Sequence, residues 1–169
     1  MTAQCRIRSA VAADVPAIVE IYNAEVLYSF ATFDTEPVTV EARRRWLARR
    51  DARRHPVVVA DAGGDLAGWA SLSRWSEKGA YARAAEVSVY VDRAWRGRQI
   101  GKALLAELIE RGRQAGLGVL LTRICRQGGE ASLRLHEHLG FRRVGTLRAV
   151  GEKFGQILDV ELLDLALGP

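Results

Sequence analysis

The chain is poor in residues that staple, ligate or anchor. Its 169 residues include two cysteines, four prolines and one methionine, and only 7% are aromatic. Cys5 and Cys125 lie far apart in apolar segments with no Cys-x-x-Cys pair. That spacing excludes a disulfide framework or a zinc cluster and predicts two buried free thiols. No apolar run approaches the roughly eighteen residues of a membrane span, and Met1 to Arg6 lack the apolar stretch of a signal peptide. These absences predict a cytoplasmic protein with no metal and no membrane partner. A chain of this length is expected to form one domain, residues 1–169, with its own core.

What the chain does carry is charge, net +5 and mostly arginine. Arg43, Arg44, Arg45, Arg49, Arg50, Arg53 and Arg54 crowd one segment. A nucleic-acid groove would interleave several aromatics with such cations, and here Trp46 stands alone among them. A solvated helix face is the plainer reading, with no nucleic acid as partner.

Periodicity divides the chain into short elements. Cys5 to Ser9 alternates as a strand, and Asp14 stands where it would cap a helix from Val15 to about Glu25. Thr39 caps a second helix carrying Trp46 and Leu47. Pro56–Asp61 and Leu66–Leu72 read as a hairpin across Gly63-Gly64, and Glu86–Val91 as the next strand. A helix from about Gly101 to Gln114, a strand Val119–Cys125, a helix Glu130–Leu139 and strands Phe141–Leu147 and Ile157–Leu165 complete the pattern. The order predicts an α/β (α+β) fold with a mixed, mainly antiparallel central sheet flanked by helices.

The most informative junction is the strand ending Val89-Tyr90-Val91, which passes through Arg96-Gly97-Arg98-Gln99-Ile100-Gly101-Lys102 into a helix. Backbone N–H groups at a helix start beside several cations make a cradle for pyrophosphate. A plain tight turn would use the same glycines.

Ordered blocks along nearly the whole chain resolve that choice: Ala17–Asn23, Phe33-Asp34-Thr35-Glu36-Pro37, Ala80-Tyr81, Glu86–Val91, Arg96–Gly101, Ala131–Glu137, Leu139-Gly140-Phe141 and Lys153-Phe154-Gly155. With these the chain resembles the GNAT N-acetyltransferases, in the branch of the phosphinothricin and methionine sulfoximine acetyltransferases. The resemblance implies the GNAT fold, acetyl-CoA as co-substrate, a primary amine of a small molecule as acceptor, and a homodimer.

It also implies roles for particular residues. Glu86 would be the base that takes the amine proton, directly or through water; otherwise it is an exposed edge carboxylate. The N–H groups of Val89 and Val91 would face the thioester oxygen, with Tyr90 on the opposite face in the core. Arg96, Gly97, Arg98, Gln99, Ile100, Gly101 and Lys102 would wrap the pyrophosphate, and Gly129 and Ser132 would lie beside the cofactor, Ser132 alternatively capping its helix. His136 occupies the position of a tyrosine acid in many relatives, or is a buried, satisfied histidine. Phe33, Trp75, Ser76, Glu77, Tyr81, Ser88, Lys153 and Phe154 would border the acceptor, Glu77 drawing an amine and Lys153 a carboxylate; Trp75 and Phe154 are equally readable as core.

Four positions depart from the family's pattern. Gln99 replaces the middle glycine of the turn, and we expect it to adopt a right-handed conformation that still presents its N–H. Gly129 replaces an asparagine, Ala84 a threonine, and Ser76 an arginine that would fork an acceptor carboxylate. They keep two alternatives open: a protein or peptide acceptor, and an acetyl-CoA-binding module without catalysis.

Overall fold

A computed structural model describes residues 5–168. Seven strands form one sheet in the order β1-β2-β3-β4-β5-β7-β6: β1 (Arg6–Ser9), β2 (Val57–Asp61), β3 (Leu66–Arg74), β4 (Ala84–Val91), β5 (Val119–Cys125), β6 (Arg142–Lys153) and β7 (Gln156–Ala166). Every neighbouring pair is antiparallel except β4 and β5. The sheet is flanked by α1 (Val15–Tyr28), α2 (Val40–Ala48), α3 (Ile100–Gln114) and α4 (Glu130–His138). The mixed, mainly antiparallel α+β arrangement expected from the sequence is the one found. Among the described residues no helix is long and apolar enough to cross a membrane.

The strands' two-residue period sends alternate side chains into two cores. On one face, Leu104, Leu105 and Leu108 of α3 pack with Val58, Ala70, Leu72, Val87 and Leu120. On the other, Ile18, Ile21, Tyr22 and Val26 of α1 pack with Val57, Val59 and Trp69. Tyr90 joins this second core, its ring centroid 4.8 Å from Trp69 and 5.2 Å from Tyr22. The Tyr90 ring thus packs in a core as expected, while the residue, expected also beside the cofactor, borders a cleft between β4 and β5.

Several local expectations need correction. Thr39 does cap α2, accepting from the Ala42 N–H at 3.1 Å. Asp14 gives α1 no side-chain cap; its carboxylate instead accepts from the Val11 N–H and from Arg8. The arginine-rich segment is only partly a solvated face. Arg43 is buried, its guanidinium 4.5 Å from the Tyr22 ring centroid and 4.6 Å from that of Trp46, and Arg50 donates to the carbonyls of His55 and Leu72. Cys125 is buried, but Cys5 is only half-buried.

The largest difference is at the end of the chain, where β6 continues to Lys153 and turns at once into β7. The connection is Phe154-Gly155, with φ of 52° and 72°. A two-residue loop positive at both centres matches the right-handed twist of a hairpin. Phe in place of the usual Asn or Asp concealed it.

Candidate active site

β4 and β5 pair only over Ala84–Glu86 and Val119–Leu121. Beyond this β4 runs on to Val91 and β5 to Cys125 without further pairing, so the sheet opens into a cleft. The Asp92 N–H donates to the Ala67 carbonyl on the β3 side. Strand alternation therefore turns the N–H groups of Val89 and Val91 the other way, into the gap. A cavity of about 530 Å³ occupies it, bordered by Phe30, Phe33, Glu86, Ser88, Arg123, Gly129, Ser132 and His136 among others.

At the closed end of the gap stands Glu86. Its two carboxylate oxygens accept from Arg123 Nε at 2.7 Å and Nη2 at 2.5 Å. The pairing follows from register: Glu86 lies opposite Leu121, and two residues further along β5 Arg123 returns to the same face. The paired carboxylate favours the guanidinium's charged form, pushing Arg123 above the ordinary arginine value. Arg123 also lies 5.3 Å from the Trp75 ring centroid. Sequence reading missed it as a site residue, although a lone cation in the apolar run Val119–Cys125 was the available signal.

His136 is buried, and its Nδ1 lies 2.8 Å from the Ser132 carbonyl oxygen. A carbonyl only accepts, so we assign the proton to Nδ1, which leaves Nε2 an acceptor with no partner in the structure. Burial lowers the imidazole pKa below its ordinary value. In this neutral form the ring has no proton on Nε2 to give. Ser132 sits inside α4 and does not cap it; the N-cap is Gly129. A Cβ on Gly129 would stand 1.9 Å from the Cys125 carbonyl oxygen, so the family's asparagine cannot fit this backbone.

At the start of α3, Gly97 has φ 76° and Gln99 has φ 63° and ψ 10°. Gln99 is left-handed, which overturns the right-handed expectation. Gln99 supplies no side-chain cap, so the first N–H groups of α3, on Ile100, Gly101 and Lys102, have no intrahelical acceptor. A Cβ on Gly101 would press on Leu135 at 3.1 Å. Arg98 stacks on Trp95 and Lys102 Nζ lies 3.1 Å from His138 Nε2. Arg96 is less free than expected, because it pairs with the buried Glu25 at 2.5 Å. A non-glycine residue in this region costs about 1–2 kcal/mol. Gln99→Gly should therefore raise unfolding stability by about 1 kcal/mol in urea titration, and an unchanged midpoint would show the strain is relieved elsewhere.

The acceptor-side residues divide into two groups. Phe33 and Ser88 border the cavity, while Phe154 is exposed rather than core, its ring tilted against Phe30 with centroids 5.5 Å apart. Ser76 and Glu77 do not reach it: the Ser76 hydroxyl accepts from the Lys78 N–H, and Glu77 pairs with Arg74 at 3.0 Å on the surface. Both border a separate cleft of about 240 Å³, and Tyr81 is exposed outside the main cavity. Lys153 is also corrected. It is buried, and its ammonium donates to the carbonyls of Ser29 and Thr32, both at 2.8 Å, and of Glu25 at 3.4 Å. All three protons are engaged, leaving none for an acceptor carboxylate.

The cleft fits a coenzyme with a diphosphate arm: an uncapped helix start beside Arg98 and Lys102 at one end, outward N–H groups along β4, and Glu86 at the other. Residues 18–141 match the acetyltransferase (GNAT) family. The chain is 40% identical over 164 residues to an L-methionine sulfoximine/L-methionine sulfone acetyltransferase of Pseudomonas aeruginosa, covering 96% of this chain and 95% of that one. It is 40% identical over 162 residues to a phosphinothricin N-acetyltransferase of Streptomyces coelicolor, covering 94% of each. Among solved structures, yncA of Salmonella typhimurium, a putative acetyltransferase with its cofactor acetyl-CoA, superposes with a TM-score of 0.94 at 36% identity, over 98% of this chain and 95% of that one. With the fold, the cleft and these relatives in agreement, the chain belongs to the GNAT acetyltransferase family and is an acetyl-CoA-dependent N-acetyltransferase.

Proposed function

We propose that the protein transfers acetyl to the primary amine of a small molecule, an amino acid or amino-acid analogue, with Glu86 as the base. The observation that carries this reading is a half-buried carboxylate at the closed end of a cleft whose β4 edge presents the Val89 and Val91 N–H groups. The names of the relatives, which act on methionine sulfoximine and phosphinothricin, support the acceptor class.

An aliphatic amine with a pKa near 10.4 is almost wholly protonated at pH 7, so freeing its lone pair costs about 4–5 kcal/mol. Glu86 removes that proton. Acetyl-CoA, when bound, supplies the activated acetyl group. The first N–H groups of α3, with Arg98 and Lys102, would hold its pyrophosphate, and the N–H groups of Val89 and Val91 would donate to the acetyl oxygen. A thiol's conjugate base leaves well because its pKa is near 8.5. His136 therefore contributes mainly as an acceptor at Nε2, and as an acid only in its disfavoured charged form.

The chain acts as one domain, and we extend the proposal to a cytoplasmic homodimer. β6 is a twelve-residue edge strand that exposes Val144, Leu147 and Val150 among its arginines, apolar area that a second copy could cover. A dimer mass in sedimentation equilibrium is the expected result. Incubation with acetyl-CoA and a panel of amino acids, amines and peptides, read by free thiol, tests the function itself. Turnover should be greatest on amino acids. Greater turnover on peptides would transfer the reading to a protein acceptor.

A further inference from the structure

The described residues bordering the cavity include two acids, Asp34 and Glu86, and a single lysine or arginine, Arg123. Asp34 accepts from the Tyr22 hydroxyl at 2.6 Å. The other cation suggested by the sequence, Lys153, is spent on three backbone carbonyls, and Ser76 carries no charge. Any carboxylate on the acceptor therefore has one fixed guanidinium to meet inside this cleft.

We propose that Arg123 binds the α-carboxylate of the acceptor while its partner Glu86 receives the amine, so that the ion pair reads the two charges of an α-amino acid. This rests on the small-amine reading above. Glu86 engages one hydrogen on Nε and one on Nη2. A guanidinium has five N–H donors, so both hydrogens on Nη1 and the second on Nη2 remain for another anion. Arg123 can thus bridge two carboxylates, Glu86 on one edge and the acceptor on the other.

The surroundings suit that use. The Arg123 side chain is 52% exposed, so a ligand can reach it, and the Trp75 ring limits where its plane can turn. An α-amino acid carries its ammonium and carboxylate on one carbon, opposite in sign to Glu86 and Arg123, which are themselves in contact. An amine without the carboxylate would meet Glu86 but leave the guanidinium's free edge unused. Selection for amino acids over simple amines follows from this one side chain.

The test compares the best α-amino acid of the panel with the amine that lacks only its carboxylate, in the full-length protein and in Arg123→Gln. The wild type should favour the amino acid by at least about thirtyfold in kcat/KM, as expected of a charge-assisted fork. Arg123→Gln should cut that preference at least about thirtyfold, mainly through a higher KM for the amino acid. Arg123→Lys should restore part of it, because the charge returns without the fork. Equal losses on both acceptors, carried by kcat, would overturn the proposal and leave Arg123 only a positioning residue for Glu86. A wild type that acetylates small amines with no preference for the carboxylate would overturn it while leaving N-acetyl transfer standing. Turnover on neither acceptor would sink the small-amine reading and this proposal with it.

Discussion

Glu86→Gln should lower kcat at pH 7 by at least about a hundredfold, the ordinary contribution of a positioned base. The substitution keeps the side chain's shape and one acceptor oxygen, and Arg123 is half exposed, so its lost partner is replaced by water and the fold should survive. The pH profile discriminates further. Without the base, turnover depends on the fraction of amine already unprotonated, which grows about tenfold per pH unit until the amine's own pKa. The residual rate should climb with that slope while the wild type stays nearly flat over the same interval. An unaltered rate, or a reduced rate with the wild-type profile, would remove Glu86 from the chemistry.

The second large effect is expected at Lys153. Its ammonium closes the C-terminal end of α1, donating to the carbonyls of Ser29 and Thr32 and, at longer range, to that of Glu25, which already accepts from the Ser29 N–H. A cation there satisfies acceptors and complements the helix dipole. Burial lowers the ammonium's pKa, while Glu25 and Asp34 raise it. Lys153→Met keeps most of the apolar stem and removes the donors. It should cost about 3 kcal/mol, or roughly 6–12 °C in Tm for a chain of this size. The same carbonyls fix the loop bearing Phe30 and Phe33 at the cavity, so the acceptor KM should rise more than kcat falls. A Tm within a degree of the wild type would show that water replaces the ammonium without penalty.

Both predictions concern residues that the sequence flagged; the structure puts Glu86 at the cleft where it was expected, but turns Lys153 away from the acceptor. Glu86 was legible mainly through the family resemblance, whose acid falls at this position on the strand before the basic, glycine-containing turn. Lys153 was read as an acceptor ligand because it adjoins Phe154 in a family block. Its actual partners lie more than 120 residues away in sequence. Glu77 failed in a different way: three residues from Arg74, it found a surface partner nearer than the cavity.

The sequence by itself determined the elements, their order, the mixed sheet and the turn at the start of α3, because periodicity, caps and glycine placement act over a few residues. It did not disclose that Gln99 is left-handed, since a non-glycine residue ordinarily avoids that region. Nor could it join Glu86 to Arg123, which depends on the register between two parallel strands separated by a whole helix. Only the tertiary structure sets which distant charges meet, because an ion pair across strands is fixed by register and burial, and neither is written in local residue order.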